Sequence, residues 1–152
     1  DVKNMIIWGN HSPTMYPDVE NVSINGRSAS TVIDDMNWVE NDFLPTVQQR
    51  GKAVIDARGA SSATSAAKAA LDTIIACENT TDDGDSFSAA IASDGAYGVP
   101  EGLICGYPLI TLEDGSVEIK RDIVLSDFAI DKFKISIDEL SSEREAVKHL
   151  LK

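Results

Sequence analysis

Met5-Ile6-Ile7-Trp8-Gly9-Asn10-His11-Ser12 is the stretch around which the rest of the chain reads as organised. Three apolar residues and a tryptophan run straight into Gly-Asn-His-Ser, so residues 4–9 read as a strand, buried on both faces, that ends at a site. The apolar run anchors the backbone, Gly9 lets the chain turn where a side chain would clash, and the polar residues emerge at the strand's end. A histidine with its unperturbed pKa of about 6.5 can give or take a proton near neutral pH. Taken alone, the eight residues also admit a loop histidine with no chemical role.

Working outward, Pro13 and Pro17 exclude helix and hold an extended segment. Asn21-Val22-Ser23-Ile24 alternates polar and apolar, and Asn25-Gly26 follows, so residues 21–24 and 27–31 are expected to pair as a hairpin. Thr31 to Trp38 carries no decisive pattern. A long helix is expected from Asn41 or Asp42, either a good N-cap. Phe43, Leu44, Val47, Val54, Ile55 and Arg58 lie along it, with Gly59 at its end. Gly51 inside it costs about 1 kcal/mol against alanine and points to a bend or a close backbone approach. A second helix is expected from Ser61 or Ser62 to about Cys77. Its stripe of Ala63, Ala67, Ala70, Ile74 and Cys77 is read as facing the domain's own core, with a subunit contact as the alternative.

Asn79 to Asp85 reads as a polar loop. Asp82, Asp83 and Asp85 lack the spacing of a calcium loop, so no metal is expected. Phe87 to Ser93 reads as a strand. Leu109–Glu113 and Ser116–Lys120 alternate on either side of Asp114-Gly115 and are expected to form a second hairpin. A C-terminal helix should bury Ile130, Phe133, Ile137, Leu140, Val147, Leu150 and Leu151, with Arg144, Lys148 and Lys152 at its negative end and His149 on its surface. Helices packed against antiparallel pairs give an α+β class.

Composition narrows the function. The chain has 152 residues, 43% of them hydrophobic, enough for one domain with a core. Its formal net charge of −12 argues against nucleic acid or an anionic membrane as partner, since both call for clustered Lys and Arg. Cys77 and Cys105 sit in apolar contexts without paired spacing and read as buried, reduced thiols of a cytosol-like, cytoplasmic compartment. No apolar run approaches the ~20 residues that span a bilayer, and no signal peptide is visible. Asn21-Val22-Ser23 and Asn79-Thr80-Thr81 match the glycosylation pattern but are read as chance matches. The start at Asp1, with a buried-type strand close behind it, is expected of a fragment or processed product.

Ile6-Ile7-Trp8-Gly9-Asn10-His11-Ser12, followed by Tyr16-Pro17-Asp18, resembles the active-site histidine segment of the lactate/malate dehydrogenase family, in its cytosolic malate dehydrogenase type. Val47-Gln48-Gln49-Arg50-Gly51-Lys52-Ala53-Val54-Ile55 is similar to the family's long bent helix. Ser61-Ser62-Ala63-Thr64-Ser65-Ala66-Ala67-Lys68-Ala69 resembles the helix after it. Ser93-Asp94-Gly95 and Tyr97-Gly98-Val99-Pro100 resemble the loop before its last sheet. The resemblance spans nearly the whole chain but only the second half of such an enzyme, and no G-x-G-x-x-G occurs.

The resemblance implies that residues 1–152 form the substrate-binding, catalytic C-terminal domain, with an antiparallel sheet packed by long helices. The NAD-binding Rossmann domain would be absent from this chain. It implies oxidation of malate by NAD to oxaloacetate and NADH, with His11 as proton acceptor and donor, in the tricarboxylic acid cycle. Ser61 would face the substrate and the carboxamide end of the cofactor pocket, or cap its helix. Asn10 would contact cofactor or substrate, or serve the turn. NAD would be held mainly by the missing domain, and the full-length protein would be a homodimer. The aspartate that orients the histidine and the arginine that binds the substrate carboxylate precede residue 1 in the family; Asp18 and Arg27 are poor substitutes. Two alternatives stay open: a lactate dehydrogenase derived from a malate dehydrogenase, and a stand-alone, non-catalytic interaction domain.

Overall fold

The computed structural model describes residues 1–151. Strand β1 (Val2–Lys3) gives way at Asn4, whose φ of +60° turns the chain into β2 (Ile6–Trp8). Strand β3 (Tyr16–Asp18) returns antiparallel, pairing Ile6 with Asp18, Ile7 with Pro17 and Trp8 with Tyr16. The strand expected over residues 4–9 is thus shorter, because Asn4 and Gly9 leave extended geometry at its two ends. Ile6 and Trp8 are fully buried and Ile7 is half-buried. The Trp8 ring packs against Tyr97 at 4.8 Å, Phe133 at 5.1 Å and Tyr107 at 6.3 Å between centroids. Aromatic pairs at such separations add about 0.5–1.5 kcal/mol beyond the area they bury.

Asp18 fastens this hairpin. The side chain is 0% exposed and accepts from Trp8 Nε1 (3.0 Å), the N–H groups of Glu20 (2.9 Å) and Asn21 (3.1 Å), and Asn21 Nδ2 (2.8 Å). Asp18→Ala strands the buried Trp8 N–H and frees the half-buried Glu20 and Asn21 donors that close the turn, and should cost on the order of 3 kcal/mol. Urea unfolding followed by tryptophan fluorescence reads the effect; a midpoint equal to the wild type would show that the donors find water instead.

Strands β4 (Ser23–Ile24) and β5 (Arg27–Ser28) pair around Asn25 and Gly26, whose φ values of +50° and +76° suit the tight hairpin turn, and β1 adds to β4. The ladder stops at Ser28 rather than at residue 31, because buried Ala29 already opens helix α1 (Ala29–Ile33). Helix α2 (Met36–Trp38) follows, capped by the Asp35 carboxylate, which accepts from the Trp38 N–H at 2.9 Å. A wide π-turn over Val39–Phe43 leads into α3 (Leu44–Gln48) and α4 (Arg50–Arg58). The helix therefore starts at Asp35, not at Asn41 or Asp42. The break falls at Gln49 (φ −98°, ψ 3°), and a Cβ on Gly51 would meet nothing within 4 Å, so nothing in the structure explains a glycine there. Gly59 ends α4 in the left-handed region, as expected. Leu44 is buried, Phe43, Val47 and Val54 are half-buried, and Ile55 and Arg58 are exposed.

Helix α5 (Ala63–Glu78) corrects the reading of its stripe as core: none of its residues is buried, and Leu71, Ile74 and Ile75 are 53%, 61% and 50% exposed. It meets the sheet along one edge, where the Thr111 hydroxyl donates to the Ala76 carbonyl at 2.8 Å. Alanines on several sides of a helix give no contrast by which the docked face can be read.

Strands β6 (Phe87–Ala92), β7 (Ile104–Thr111) and β8 (Val117–Ile119) form an antiparallel sheet in that order. The turn at Asp114-Gly115 is where the alternation puts it. The ladder closes at Thr111–Val117, and the Asp114 carboxylate accepts from the Ser116 N–H at 2.9 Å. Helix α6 (Asp127–Ala146) begins at Ser126, whose Oγ accepts from the Ala129 N–H at 3.1 Å. It buries Ala129, Phe133 and Ser136 and half-buries Ile137 and Leu140. Ile130 is exposed because the buried face of α6 runs through Ala129, Phe133 and Ser136, and Val147, Leu150 and Leu151 are exposed because α6 stops at Ala146 and a 3-10 turn over Lys148–Leu150 loses the helical register. His149 is exposed, and Lys152 lies outside the described residues.

Cys105 is buried and Cys77 half-buried, both as free thiols, and burial pushes the Cys105 thiol up to about 11. Among the described residues no helix is long and apolar enough to cross a membrane. Helices over antiparallel sheets make the domain α+β, as expected.

Candidate active site

The site is built where β2 runs out beside β7. Gly9 and Gly106 face each other in an antiparallel bridge: Gly9 N–H donates to the Gly106 carbonyl at 3.2 Å and Gly106 N–H to the Gly9 carbonyl at 2.6 Å. A Cβ on Gly106 would lie 2.5 Å from the Ile7 carbonyl oxygen. A Cβ on Gly9, which also has φ +95°, would lie 2.0 Å from Ser136 Oγ and 2.6 Å from its Cβ. Two glycines thus let a strand, a second strand and α6 meet closer than side chains allow.

The chain then makes a turn whose side chains collect on α6. Asn10 N–H donates to Ser136 Oγ at 2.9 Å. Asn10 Oδ1 accepts from the Ser12 N–H at 3.1 Å, closing the Asx-type turn that asparagine favours. Asn10 Nδ2 donates to Thr14 Oγ1 (3.0 Å) and to Glu139 Oε2 (2.9 Å), and Ser12 Oγ donates to the same oxygen at 2.7 Å. Thr14 Oγ1 also donates to Glu139 Oε2, and Thr14 N–H donates to Ser12 Oγ at 3.1 Å. Three donors on one carboxylate hold Glu139 below the ordinary glutamate range, with the Thr14 bond the largest cause, then Ser12 and Asn10. Gln48 of α3 ties down the far side of the turn by donating from Nε2 to the Met15 carbonyl at 2.8 Å.

His11 stands exposed on this turn, and among the described residues no side chain hydrogen-bonds its imidazole. Asp18 is committed to Trp8 and to Asn21, and Arg27 is exposed on the far hairpin, so neither orients the ring. Asn10 is beside His11, with both amide hydrogens and its carbonyl engaged inside the turn. Ser61 is exposed between α4 and α5, and its carbonyl accepts from Arg58 Nη1 at 3.3 Å and from the Ala63 N–H at 3.0 Å. It makes no hydrogen bond to Asn10 or His11. The N-cap is Ser62, whose side chain makes no capping bond, so helix capping does not occupy the Ser61 hydroxyl.

Thr14, Gln48, Ser136 and Glu139 are the residues that sequence reasoning missed. One signal was available: Ser136 interrupts the apolar face begun by Phe133, which asks for a close-packed or hydrogen-bonded neighbour. No group of three or more His, Cys, Asp or Glu among the described residues could hold a metal ion. An open depression of about 450 Å³ between α5 and β6, lined by Asp72, Asn79, Asp85 and Phe87, does not include His11.

The family described as lactate/malate dehydrogenase, alpha/beta C-terminal domain, matches residues 1–151. A protein named malate dehydrogenase from Cutibacterium acnes (strain DSM 16379 / KPA171202) is 49% identical over 150 residues, covering 99% of this chain and 45% of its own length. Among solved structures, malate dehydrogenase from Naegleria fowleri ATCC 30863 aligns with a TM-score of 0.89 at 39% identity, over 99% of this chain and 46% of that one. Trichomonas vaginalis lactate dehydrogenase in complex with NADH and oxamate aligns at 0.87 and 25% identity, over 99% and 47%. The chain spans about half the length of the relatives it matches.

Proposed function

We propose, from the premise that this chain belongs to the lactate/malate dehydrogenase family as its alpha/beta C-terminal domain, that it is the substrate-side, catalytic half of an NAD-dependent malate dehydrogenase. The observation that carries the reading is the placement of His11: an exposed imidazole on a turn whose neighbours are fixed by Ser136 and Glu139. A loop that immobilises its polar residues around one outward histidine suits a group that must meet a substrate in a set geometry.

In this reading His11 takes the hydroxyl proton as malate is oxidised and returns it to the carbonyl oxygen as oxaloacetate is reduced. A nicotinamide cofactor, when bound, accepts or supplies the hydride. The residues of this chain fit only the reacting end of that cofactor. Ser61 offers an uncommitted hydroxyl for the substrate or the carboxamide, and no G-x-G-x-x-G phosphate cradle occurs in the sequence. Asn10 serves by shaping the turn, since its amide is engaged there. The nucleotide-binding half, the aspartate that orients His11 and the arginine that grips the carboxylate belong to the part of the enzyme outside residues 1–152. The full enzyme works in the cytoplasm as a homodimer.

A second reading, lactate dehydrogenase, has the structural likeness to such an enzyme in its favour. The higher identity to proteins named malate dehydrogenase favours the first. The test is NADH oxidation by the full-length enzyme with oxaloacetate against pyruvate. Oxaloacetate should win in kcat/KM by roughly 10²-fold or more, the discrimination expected of a site with a polar group for the second carboxylate. Pyruvate winning would establish the lactate reading, and no turnover with either would leave a non-catalytic module. The 152-residue chain alone should show no turnover.

A further inference from the structure

We infer that Glu139 is a positioning residue for His11, holding the histidine turn in its working shape from helix α6; this rests on the acid–base role proposed above. Its single oxygen Oε2 accepts from Asn10 Nδ2 at 2.9 Å, from Ser12 Oγ at 2.7 Å and from Thr14 Oγ1. Those donors come from alternate residues of the turn. The two residues between them, His11 and Pro13, are the exposed ones. One carboxylate therefore gathers every second side chain inward and leaves His11 outward. Bonds to an ionised acceptor are roughly twice as strong as neutral ones, which matters for a turn with few apolar anchors of its own.

The helix that carries Glu139 is not free to follow the turn. One turn earlier Ser136 accepts the Asn10 N–H at 2.9 Å, and Phe133 packs on Trp8 with 5.1 Å between centroids. Both ends of the Asn10–Thr14 segment are also fixed, by the Gly9–Gly106 bridge and by the Gln48 bond to Met15. What remains adjustable is the crest that carries His11, and Glu139 restrains it. A misplacement of about 1 Å far from the bond-making atoms can cost roughly 10²-fold in rate.

The test uses the full-length enzyme with NADH and oxaloacetate. Glu139→Ala should lower kcat by about 10- to 100-fold with the dissociation constant for NADH and the thermal midpoint close to wild type. Glu139→Gln, which keeps an acceptor oxygen at the same reach, should recover most of that loss. In a His11→Asn background Glu139→Ala should cost nothing further, because a residue that acts through His11 has nothing left to position. In the full-length enzyme, Glu139→Ala should also speed amide exchange at Ser12 and Thr14 and leave the β6–β7 ladder unchanged. A kcat within about twofold of wild type, or an undiminished loss in the His11→Asn background, overturns the positioning role. If His11→Asn itself leaves turnover intact, the acid–base reading falls and the positioning role with it. Intact turnover in Glu139→Ala beside a dead His11→Asn overturns the positioning role alone.

Discussion

Gly9→Ala should destabilise the chain by about 3 kcal/mol or more, the sum of a left-handed backbone that a Cβ opposes and an overpacked contact. The backbone sits at φ +95°, and the new methyl would be placed 2.6 Å from Ser136 Cβ, an atom on the buried face of α6 that cannot swing away. Relief requires α6 to move off β2. That movement would also pull Ser136 Oγ from the Asn10 N–H, now 2.9 Å away, and Phe133 from Trp8. A small domain is stable by only about 5–15 kcal/mol, so the loss should be plain in a urea titration. Ser136→Gly in the same molecule should restore part of it by removing the colliding atoms. An unchanged midpoint for Gly9→Ala would mean that the contact between β2 and α6 is soft.

His11→Asn should lower turnover of the full-length enzyme by roughly 10²–10⁴-fold, the usual worth of a positioned acid–base group. Asparagine keeps a polar amide at this exposed position and can still hydrogen-bond a carbonyl, so binding should suffer less than chemistry. The bonds that shape the turn come from the side chains of Asn10, Ser12, Thr14 and Glu139, not from the imidazole, so the fold should be intact. The loss should fall on kcat more than on KM. A rate within a few-fold of wild type would remove His11 from the mechanism.

The residues that announced the site and those that hold it were unequally legible. Trp8-Gly9-Asn10-His11 could be singled out as a candidate site because strand, glycine and polar residues are contiguous, though only the family resemblance gave the histidine a role; Asn25-Gly26 and Asp114-Gly115 could be read because each turn is written in the residues that adopt it. Gly106 and Glu139 could not: their meaning comes from contacts with Gly9 and with Asn10, Ser12 and Thr14, more than 90 residues away along the chain. The onset of the bent helix was missed for a local reason, since the Asp35 cap precedes a short turn and a π-segment without 3.6-residue periodicity. Helix α5 failed differently. Its residues were read correctly as helical, but Leu71, Ile74 and Ile75 are exposed in this chain, and amphipathicity says only that a face is apolar, not what it meets.

Rescue of a His11→Gly variant of the full-length enzyme by added imidazole, followed as NADH oxidation with oxaloacetate, tests the central claim most directly. If His11 is the group that hands a proton to the carbonyl oxygen, free imidazole entering the vacated place should restore part of the lost rate and saturate with its concentration, while leaving the wild type unchanged. A slow variant that imidazole leaves slow, or a variant as fast as the wild type without it, would contradict the account, because the proton would then come from a group other than the one the turn presents.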